Sequence, residues 1–380
     1  MGPLSGIRVV ELAAIGPVPF CAMLLADLGA DVVRVDRPGP HEASSLPDGV
    51  GVGTGRGRRS IAIDLKNPHG KEVLFRLVEA SDVLIEGYRP GVVERLGVGP
   101  EQCKERNPKL VYGRMTGWGQ SGPLASMAGH DINYIGLTGA LHAIGEAGDK
   151  PVPPLNLAAD YGGGALYLAT GILAALVERE RSGEGQVIDA AMVDGSASLM
   201  TIFYQLHSSE LWSDERGMNL LDGGAPFYRT YGTADGKYVA VGALEPKFYG
   251  ALLEGLDLEP SDLPEQFDRD GWPVLTDRFS AIFATKTRDE WEARFFGTDA
   301  CVTPVLSLAE APTHPHLDER RSFIISGGAV VPAPAPRFSR SRPVPGRAST
   351  RTGAHTWEVL EDIGLNADEI EVLTEVGAVA

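Results

Sequence analysis

The segment 7-IRVVELAAIGPVPFCAMLLADLGADVVRVD-36 decides the fold. Its first part, Ile7–Leu12, is rich in β-branched residues and predicts a buried strand. A helix is predicted from about Pro17 to Leu28, and Gly29 ends it, because glycine readily takes the left-handed conformation that closes a helix. Asp31–Val35 repeats the strand signal. The segment therefore predicts a strand–helix–strand unit.

The same alternation continues through the first half of the chain. Helices are predicted near Pro68–Glu79 and Pro100–Arg106. The further predicted strands are Ile61–Ile63, Val83–Ile85, Leu110–Tyr112 and Gln186–Ala191. Strands that alternate with helices are typical of a mostly parallel sheet covered on both faces. We therefore predict a Rossmann-like, doubly wound α/β domain.

The first turn of this domain argues against a bound dinucleotide. Asp36 ends the second strand at a suitable distance for contacting a ribose. However, the glycine-rich fingerprint is absent, and the turn reads AIGPVP at positions 14–19. Prolines remove N–H donors that a pyrophosphate needs. The sequence thus predicts a Rossmann-like topology without NAD.

A change in sequence pattern after the first half predicts a second, smaller α+β domain. We predict a large domain over 1–212 completed by 332–380, a linker over 213–224, a small domain over 225–320 and a return linker over 321–345. A helix is predicted from Asp194 to Trp212, and a hairpin that turns at Asp235-Gly236 opens the small domain. Further helices are predicted near 246–256, 287–296 and 354–375.

Composition limits the partners. The formal charge of −17 argues against nucleic acid and anionic membranes. No run of eighteen apolar residues and no secretory signal is present, so a cytoplasmic location without a membrane span is predicted. Cys21, Cys103 and Cys301 are too far apart to suggest a metal cluster. Residues 1–66 carry seven basic and seven acidic side chains. That locally neutral segment is either a solvated surface or a site for an anionic small molecule.

Three candidate catalytic residues stand out. His130 opens a predicted helix after a Pro/Gly loop, Asp160 precedes three glycines, and Glu245 precedes a proline at a helix start. Each has a structural alternative, since Asp160 could be a plain N-cap, His130 a structural histidine and Glu245 a common helix entry.

The glycines favour a functional role for Asp160. A plain N-cap does not need Gly162, Gly163 and Gly164 after it, whereas close approach by a ligand does. Exposed N–H groups and the helix dipole would keep the carboxylate ionised. We therefore expect Asp160 to act as a base or as a nucleophile.

Many ordered motifs resemble one family. They include GPLSGIRVVELAAIGPVPF (2–20), VLIEGYRPGVVERLGVGP (83–100), RMTGWGQSGP (114–123), AGHDINYIGLTGALHAIG (128–145), PPLNLAADYGGG (153–164), GQVIDAAMVDG (185–195) and ADGKYVAVGALEPKFY (234–249). The chain resembles the family III CoA-transferase superfamily over residues 2–305, and within it the α-methylacyl-CoA racemases of the bacterial type. PAPRFSR at 334–340 is a further match.

The resemblance implies specific roles. His130 and Asp160 are the proton donors and acceptors, and Glu245 orients the histidine. Asp131 and Asn156 line the acyl pocket. CoA is contacted by basic residues and two isoleucines: Ile15, Arg37, Ile63, Lys66, Arg89 and Arg95. The family also forms an interlocked homodimer, in which Glu245 faces the active site of the other subunit.

The implied reaction is two-base racemisation of a 2-methylacyl-CoA in fatty acid metabolism, without a metal or redox cofactor. The N–H groups of Gly162 and Gly163 are the candidate donors to the enolate oxygen. The alternative is CoA transfer between acids through an acyl-Asp160 anhydride. A non-catalytic CoA-binding protein is a more distant alternative. The preferred acyl chain, the segment 39–58 and the tail after Arg340 receive no assignment.

Overall fold

The structure is a computed structural model that describes residues 2–39, 53–343 and 345–380. The chain divides into two compact units. Unit 1 consists of Met1–Thr138, Leu155–Leu199 and Glu319–Ala380, and unit 2 of Gly139–Pro154 and Met200–Asp318. Most of the segment 39–58, for which the sequence predicted no role, lies outside the described residues.

The secondary structure follows the predicted alternation in unit 1. The strands are β1 (Arg8–Leu12), β2 (Asp31–Asp36), β3 (Arg58–Ala62), β4 (Val83–Glu86), β5 (Val111–Thr116), β6 (Val187–Ala191), β7 (Tyr228–Gly232), β8 (Tyr238–Gly242), β9 (Val302–Pro304), β10 (Phe323–Ser326) and β11 (Ala329–Pro332). The α-helices are α1 (Pro17–Asp27), α2 (Pro68–Glu79), α3 (Val92–Leu96), α4 (Pro100–Arg106), α5 (Asp131–Leu137), α6 (Ala140–Ala143), α7 (Leu166–Ser182), α8 (Met192–Leu199), α9 (Thr201–Ser208), α10 (Pro246–Gly255), α11 (Trp272–Phe283), α12 (Arg288–Phe295), α13 (Pro315–Glu319), α14 (Thr356–Asp362) and α15 (Ala367–Glu375). A π-helix spans Leu157–Ala165 and runs directly into α7.

A six-stranded parallel sheet organises unit 1, with the strand order β3-β2-β1-β4-β5-β6. In register, Val9 of β1 pairs with Val32 on one side and with Val83 on the other. The predicted α/β class and the parallel sheet are therefore confirmed. The strand order reverses between β1 and β4, and in open parallel sheets ligands bind at the carboxyl ends of the strands beside that point.

The core of unit 1 extends from the sheet to the C-terminal helices. Val10, Leu84 and Leu74 are fully buried together, and Leu360 of α14 and Ile370 of α15 belong to the same cluster. The stretch Leu157–Ser182 is long and apolar enough to cross a membrane by length and composition. Several of its side chains are nevertheless fully buried inside unit 1, including Ala159, Ala165 and Leu168. The stretch is accordingly a helix of the core.

Unit 2 contains a three-stranded antiparallel sheet in the order β7-β8-β9. Its first two strands form the hairpin that the sequence predicted, and Gly236 in the turn has a φ of +71°. Aromatic side chains fill its core, with Phe279 fully buried and Phe283 stacked 5.0 Å from Tyr231. The sequence interpretation missed β9 and α11.

The structure differs from the predicted boundaries in three places. The single helix predicted over 194–212 is two helices, α8 and α9, and Met200 between them begins a segment of unit 2. Residues 139–154 also belong to unit 2 although they were predicted in the large domain. The predicted return linker over 321–345 contains the antiparallel hairpin β10–β11 and belongs to unit 1.

Candidate active site

A cavity of about 300 Å³ opens in unit 1 beside the carboxyl ends of β1, β4 and β5. This is the edge at which the reversed strand order predicts a ligand. Several sequence-predicted site residues line it together. They are Ile15, Arg89, His130 and Asp160, with Gly16, Trp118 and Tyr134 beside them.

His130 stands at the entrance of the short helix α5. It is the N-cap residue, and its backbone N–H donates to Oδ1 of Asn133 at 3.0 Å. Its own side chain is exposed. The Asn133 side chain thus fixes the backbone of His130, and His130 lines the cavity.

Asp160 lies inside the π-helix Leu157–Ala165 and not at the N-cap of an α-helix, so the N-cap interpretation is wrong. Its carboxylate is half-buried, and the side-chain amide of Asn156 donates to Oδ2 at 3.1 Å. π-Helical turns are rare in proteins, but those that do occur often lie at functional sites.

The local electrostatics also differ from the expectation. Burial raises the pKa of Asp160, and the negative charge of Asp131 raises it further. The hydrogen bond from Asn156 and the charge of His130 oppose that rise in the pKa. The expected stabilisation of the ionised form by bare N–H groups is therefore not the dominant effect, and the carboxyl group is shifted toward accepting a proton.

Asp131 and Asn156 were predicted to line the acyl pocket. Both contact Asp160, and their place in an acyl pocket stays a prediction. Asp131 is almost fully buried, and its Oδ2 accepts the backbone N–H groups of Ala159 at 2.8 Å and of Asp160 at 2.7 Å.

The glycines after Asp160 serve close packing between helices. A Cβ on Gly163 would lie 2.6 Å from the backbone nitrogen of Ser196 in α8, and one on Gly195 would lie 1.8 Å from the carbonyl oxygen of Gly163. A Cβ on Gly164 would lie 2.8 Å from the Met192 side chain. Side chains at these positions would force α8 away from the π-helix, so the interpretation of Gly163 and Gly164 as clearance for a ligand is wrong.

The backbone hydrogen bonds of the π-helix argue against Gly162 and Gly163 as donors to the enolate oxygen. In a π-helix, each backbone N–H after the first turn bonds the carbonyl group five residues earlier. Gly162 and Gly163 lie within the π-helix, so their N–H groups are used inside it and are not bare.

The predicted CoA contacts follow the carboxyl ends of successive strands. Ile15 follows β1 and is 65% exposed, Arg37 follows β2, and Arg89 follows β4. Lys66 lies after β3, and Arg95 lies in α3. All four basic side chains are exposed, and none forms an ion pair within the described residues. Ile63 differs, because the whole residue is 1% exposed and its side chain belongs to the core.

Three other arginines of the same region are committed to the fold. Arg56 pairs with Asp27 at 2.5 Å, and Arg58 pairs with Glu11 at 2.7 Å, all four side chains being buried. Arg59 bridges α14 through Glu358 and Asp362 and also bonds Asp31. These ion pairs separate the structural arginines from the exposed ones, which the sequence did not do.

Glu245 is the N-cap residue of α10 in unit 2, and its side chain is exposed. Its assignment to orient His130 stays a prediction. Among the described residues, no group of three or more His, Cys, Asp or Glu side chains could hold a metal ion.

Sequence reasoning missed two aromatic residues of the cavity. Tyr134 lies one turn after His130 in α5, its hydroxyl donates to the Gly129 carbonyl, and its ring meets that of Trp118 edge-on at 4.7 Å. Burial raises the pKa of Tyr134 to about 12, so it stays protonated at neutral pH. Tyr134 lies close to His130 in the sequence, and Trp118 lies just after β5. These sequence positions are the signal that could have identified both residues.

Comparisons with known proteins agree with these observations. The family model described as CoA-transferase family III matches residues 4–356 of this chain. Alpha-methylacyl-CoA racemases of Mus musculus and Homo sapiens are 51% and 50% identical to this chain, each over 97% of this chain and 95% of the relative. The crystal structure of a CAIB/BAIF family protein from Brucella suis has a TM-score of 0.82 at 26% identity, covering 95% of this chain and 99% of that chain.

Proposed function

The chain belongs to CoA-transferase family III, and from this premise we propose that it is a racemase that interconverts the two configurations of 2-methylacyl-CoA thioesters. One observation carries the proposal. This chain is about half-identical to proteins named as racemases. The imidazole of His130 lines the same cavity as the carboxyl group of Asp160, and the pKa of that carboxyl group is raised.

The proposed reaction is a pair of proton transfers. One base removes the proton from the carbon next to the thioester carbonyl, and the electron pair moves to the carbonyl oxygen to form an enolate. The other group then returns a proton to the opposite face of that carbon. The thioester keeps its composition, and solvent restores the two side chains to their starting protonation states.

The environment of Asp160 suits this exchange better than it suits permanent ionisation. The residue must accept a proton in one direction of the reaction and donate it in the other. A carboxyl group at its ordinary pKa is a poor donor at neutral pH, and a raised pKa reduces that mismatch. The reaction as proposed needs no metal or redox cofactor, and activity should survive dialysis against a chelator.

The exposed cations provide the proposed CoA site. Phosphate groups form strong, charge-assisted hydrogen bonds with Arg and Lys side chains. Arg37, Lys66 and Arg89 follow β2, β3 and β4 at the carboxyl edge of the sheet, where only β1 separates β2 from β4. We expect charge removal at these positions to raise the KM for the thioester more than it changes kcat.

We also propose that two copies of the chain form a homodimer. Leu166, Thr170, Ala174 and Val177 form an exposed stripe along α7, at the spacing of a single helix face. The resemblance further implies that Glu245 of one subunit orients His130 of the other. Val177→Glu should weaken dimerisation in light-scattering measurements, and a strictly monomeric active enzyme would contradict the proposal.

CoA transfer through an acyl-Asp160 anhydride is the competing function, because the same carboxylate could attack the thioester carbonyl. The deciding assay incubates a 2-methylacyl-CoA in deuterated buffer without any acceptor acid. A racemase incorporates deuterium at the α-carbon under these conditions. No incorporation, together with CoA transfer to an added carboxylic acid, would overturn the proposal. A small panel of branched, sterol-type and arylpropionyl thioesters would then identify the preferred acyl chain.

A further inference from the structure

We propose that Asp131 is a positioning residue, whose carboxylate holds the start of the π-helix and thereby fixes Asp160 relative to His130. This inference rests on the proposed racemase function. It assigns to Asp131 a task different from lining the acyl pocket.

The geometry of a single oxygen carries the inference. Oδ2 of Asp131 accepts the N–H group of Ala159 at 2.8 Å and that of Asp160 itself at 2.7 Å. These are among the first N–H groups of the π-helix, which have no carbonyl partner within that helix. Asp131 thus supplies from α5 the cap that the π-helix lacks in its own sequence, since Asn156 makes no capping bond there.

The position of Asp131 in the chain turns this cap into a link between the two bases. Asp131 directly follows His130, and neighbouring Cα atoms are about 3.8 Å apart. The backbone of one proposed base is therefore tied, through one side chain, to the backbone N–H of the other. A displacement of about 1 Å in such a pair can lower a rate by about 100-fold.

The second carboxylate oxygen of Asp131 indicates that the negative charge of this residue contributes to its role as well as its hydrogen-bonding geometry. Asp131 is 5% exposed, and its Oδ1 has no hydrogen-bond partner among the described residues. A neutral side chain with a single oxygen, such as serine, would avoid this buried, unpaired oxygen. The retained charge raises the pKa of Asp160.

The other groups around Asp160 do not provide the same effect. His130 and the amide of Asn156 lower its pKa, and Tyr134 of α5 stays protonated at neutral pH. Arg89 of the loop after β4 lines the same cavity. Gly16 before α1 and Met192 of α8 approach without a charge.

Two substitutions separate position from charge. Asp131→Asn keeps an oxygen that can accept both N–H groups but removes the charge, whereas Asp131→Ala removes both. Asn366→Ala is the matched control, because Asn366 caps α15 through the Glu369 N–H at 3.0 Å and does not line the cavity.

The first measurement is amide hydrogen exchange of the peptide that contains Ala159 and Asp160. It is combined with kcat and KM for the exchange of the substrate α-proton. We expect Asp131→Ala to speed amide exchange in this peptide and to lower kcat by about 100-fold with a smaller change in KM. Asp131→Asn should keep amide protection and most of kcat. Asn366→Ala should change thermal stability only.

The second measurement is the pH dependence of kcat for each enantiomer. Removing the charge of Asp131 lowers the pKa of Asp160. The acid limb should therefore move to lower pH for the enantiomer that Asp160 deprotonates, and the alkaline limb should move to lower pH for the other.

The outcomes are distinct. If the wild-type protein exchanges no α-proton, the proposed function fails. If the wild-type protein is active but Asp131→Asn keeps both pH profiles and Asp131→Ala keeps kcat and amide protection, the role of Asp131 is refuted. Should Asp131→Ala not fold, the pH profiles of Asp131→Asn alone decide: a shift of both limbs supports the role and unchanged profiles refute it.

Discussion

Two kinds of buried carboxylate lie near the carboxyl edge of the parallel sheet. Glu11 of β1 and Glu86 of β4 are fully buried, and each is paired with an arginine, Arg58 at 2.7 Å and Arg114 at 3.0 Å. Asp160 is half-buried and has no Arg or Lys partner among the described residues. A neutral amide and a neighbouring carboxylate surround it instead.

This difference separates the structural carboxylates from the one for which we propose proton exchange. Arg58 also donates to carbonyl groups of the segment before β3, and Glu86 accepts the Tyr88 N–H at 2.6 Å. Glu86 therefore holds the loop after β4, which lines the cavity, and Arg58 holds the segment before β3. Giving up the charge of either glutamate would leave a buried arginine unpaired. Burial raises the pKa of all three carboxyl groups, but Asp160 has no such cation, so its protonation leaves no buried arginine unpaired.

The largest expected effect is on catalysis at the unpaired site. Asp160→Asn and His130→Ala should each lower α-proton exchange by about 10²–10⁴-fold, since each removes one of the two acid–base groups. Circular dichroism should show the native fold in both variants. Full activity in either one would contradict the two-base assignment.

At the paired site the expected effect is on stability. Arg58→Ala leaves Glu11 buried without its cation, and removing one partner of a buried pair costs about 3–5 kcal/mol. Urea unfolding monitored by fluorescence measures the loss. The double variant Glu11→Leu/Arg58→Met should recover much of it, and a single variant as stable as wild type would remove the distinction between the two sites.

A smaller effect is expected from the amide beside Asp160. Asn156→Ala removes the hydrogen bond that lowers the pKa of Asp160, so the pKa should rise. The acid limb of kcat should then move to higher pH for the enantiomer that Asp160 deprotonates. An unchanged profile would show that Asn156 does not control this pKa.

The smallest effect is on the pH dependence of stability. Because the pKa of Asp160 is raised by folding, the native state holds its proton longer than the unfolded chain, and stability falls as pH rises from the ordinary pKa of aspartate through the raised one. The Asp160→Asn variant has no carboxyl group at this position, so its stability does not fall in this way. The melting temperature of the variant relative to wild type should therefore increase over that pH range. A constant difference would contradict the raised pKa.

Sequence patterns predicted the sheet well, because buried parallel strands are short apolar runs that helices separate. His130 and Asp160 became catalytic candidates from the loop and the glycines around them, and the family resemblance gave them roles. The function of Gly163 was misread, since its neighbour Ser196 lies far along the chain and its contact depends on tertiary packing.

The arginines show the same limit of local patterns. Arg58 and Arg89 look equivalent in sequence, yet one pairs with a buried glutamate and the other lines the cavity. Only the parallel register, which sets β3 beside β2 and β2 beside β1, places Arg58 near Glu11. The π-helix was also missed, because a triple glycine fits a ligand-binding turn and a close helix contact equally well.

The central claim is that Asp160 and His130 transfer protons on opposite faces of one carbon. The most direct measurement starts from a single enantiomer of a 2-methylacyl-CoA in deuterated buffer and follows configuration and mass at early times. The account predicts that the inverted product carries one deuterium while the recovered substrate carries almost none. Inverted product that retains the original hydrogen would contradict two separate bases, and CoA transfer without any exchange would contradict proton transfer altogether.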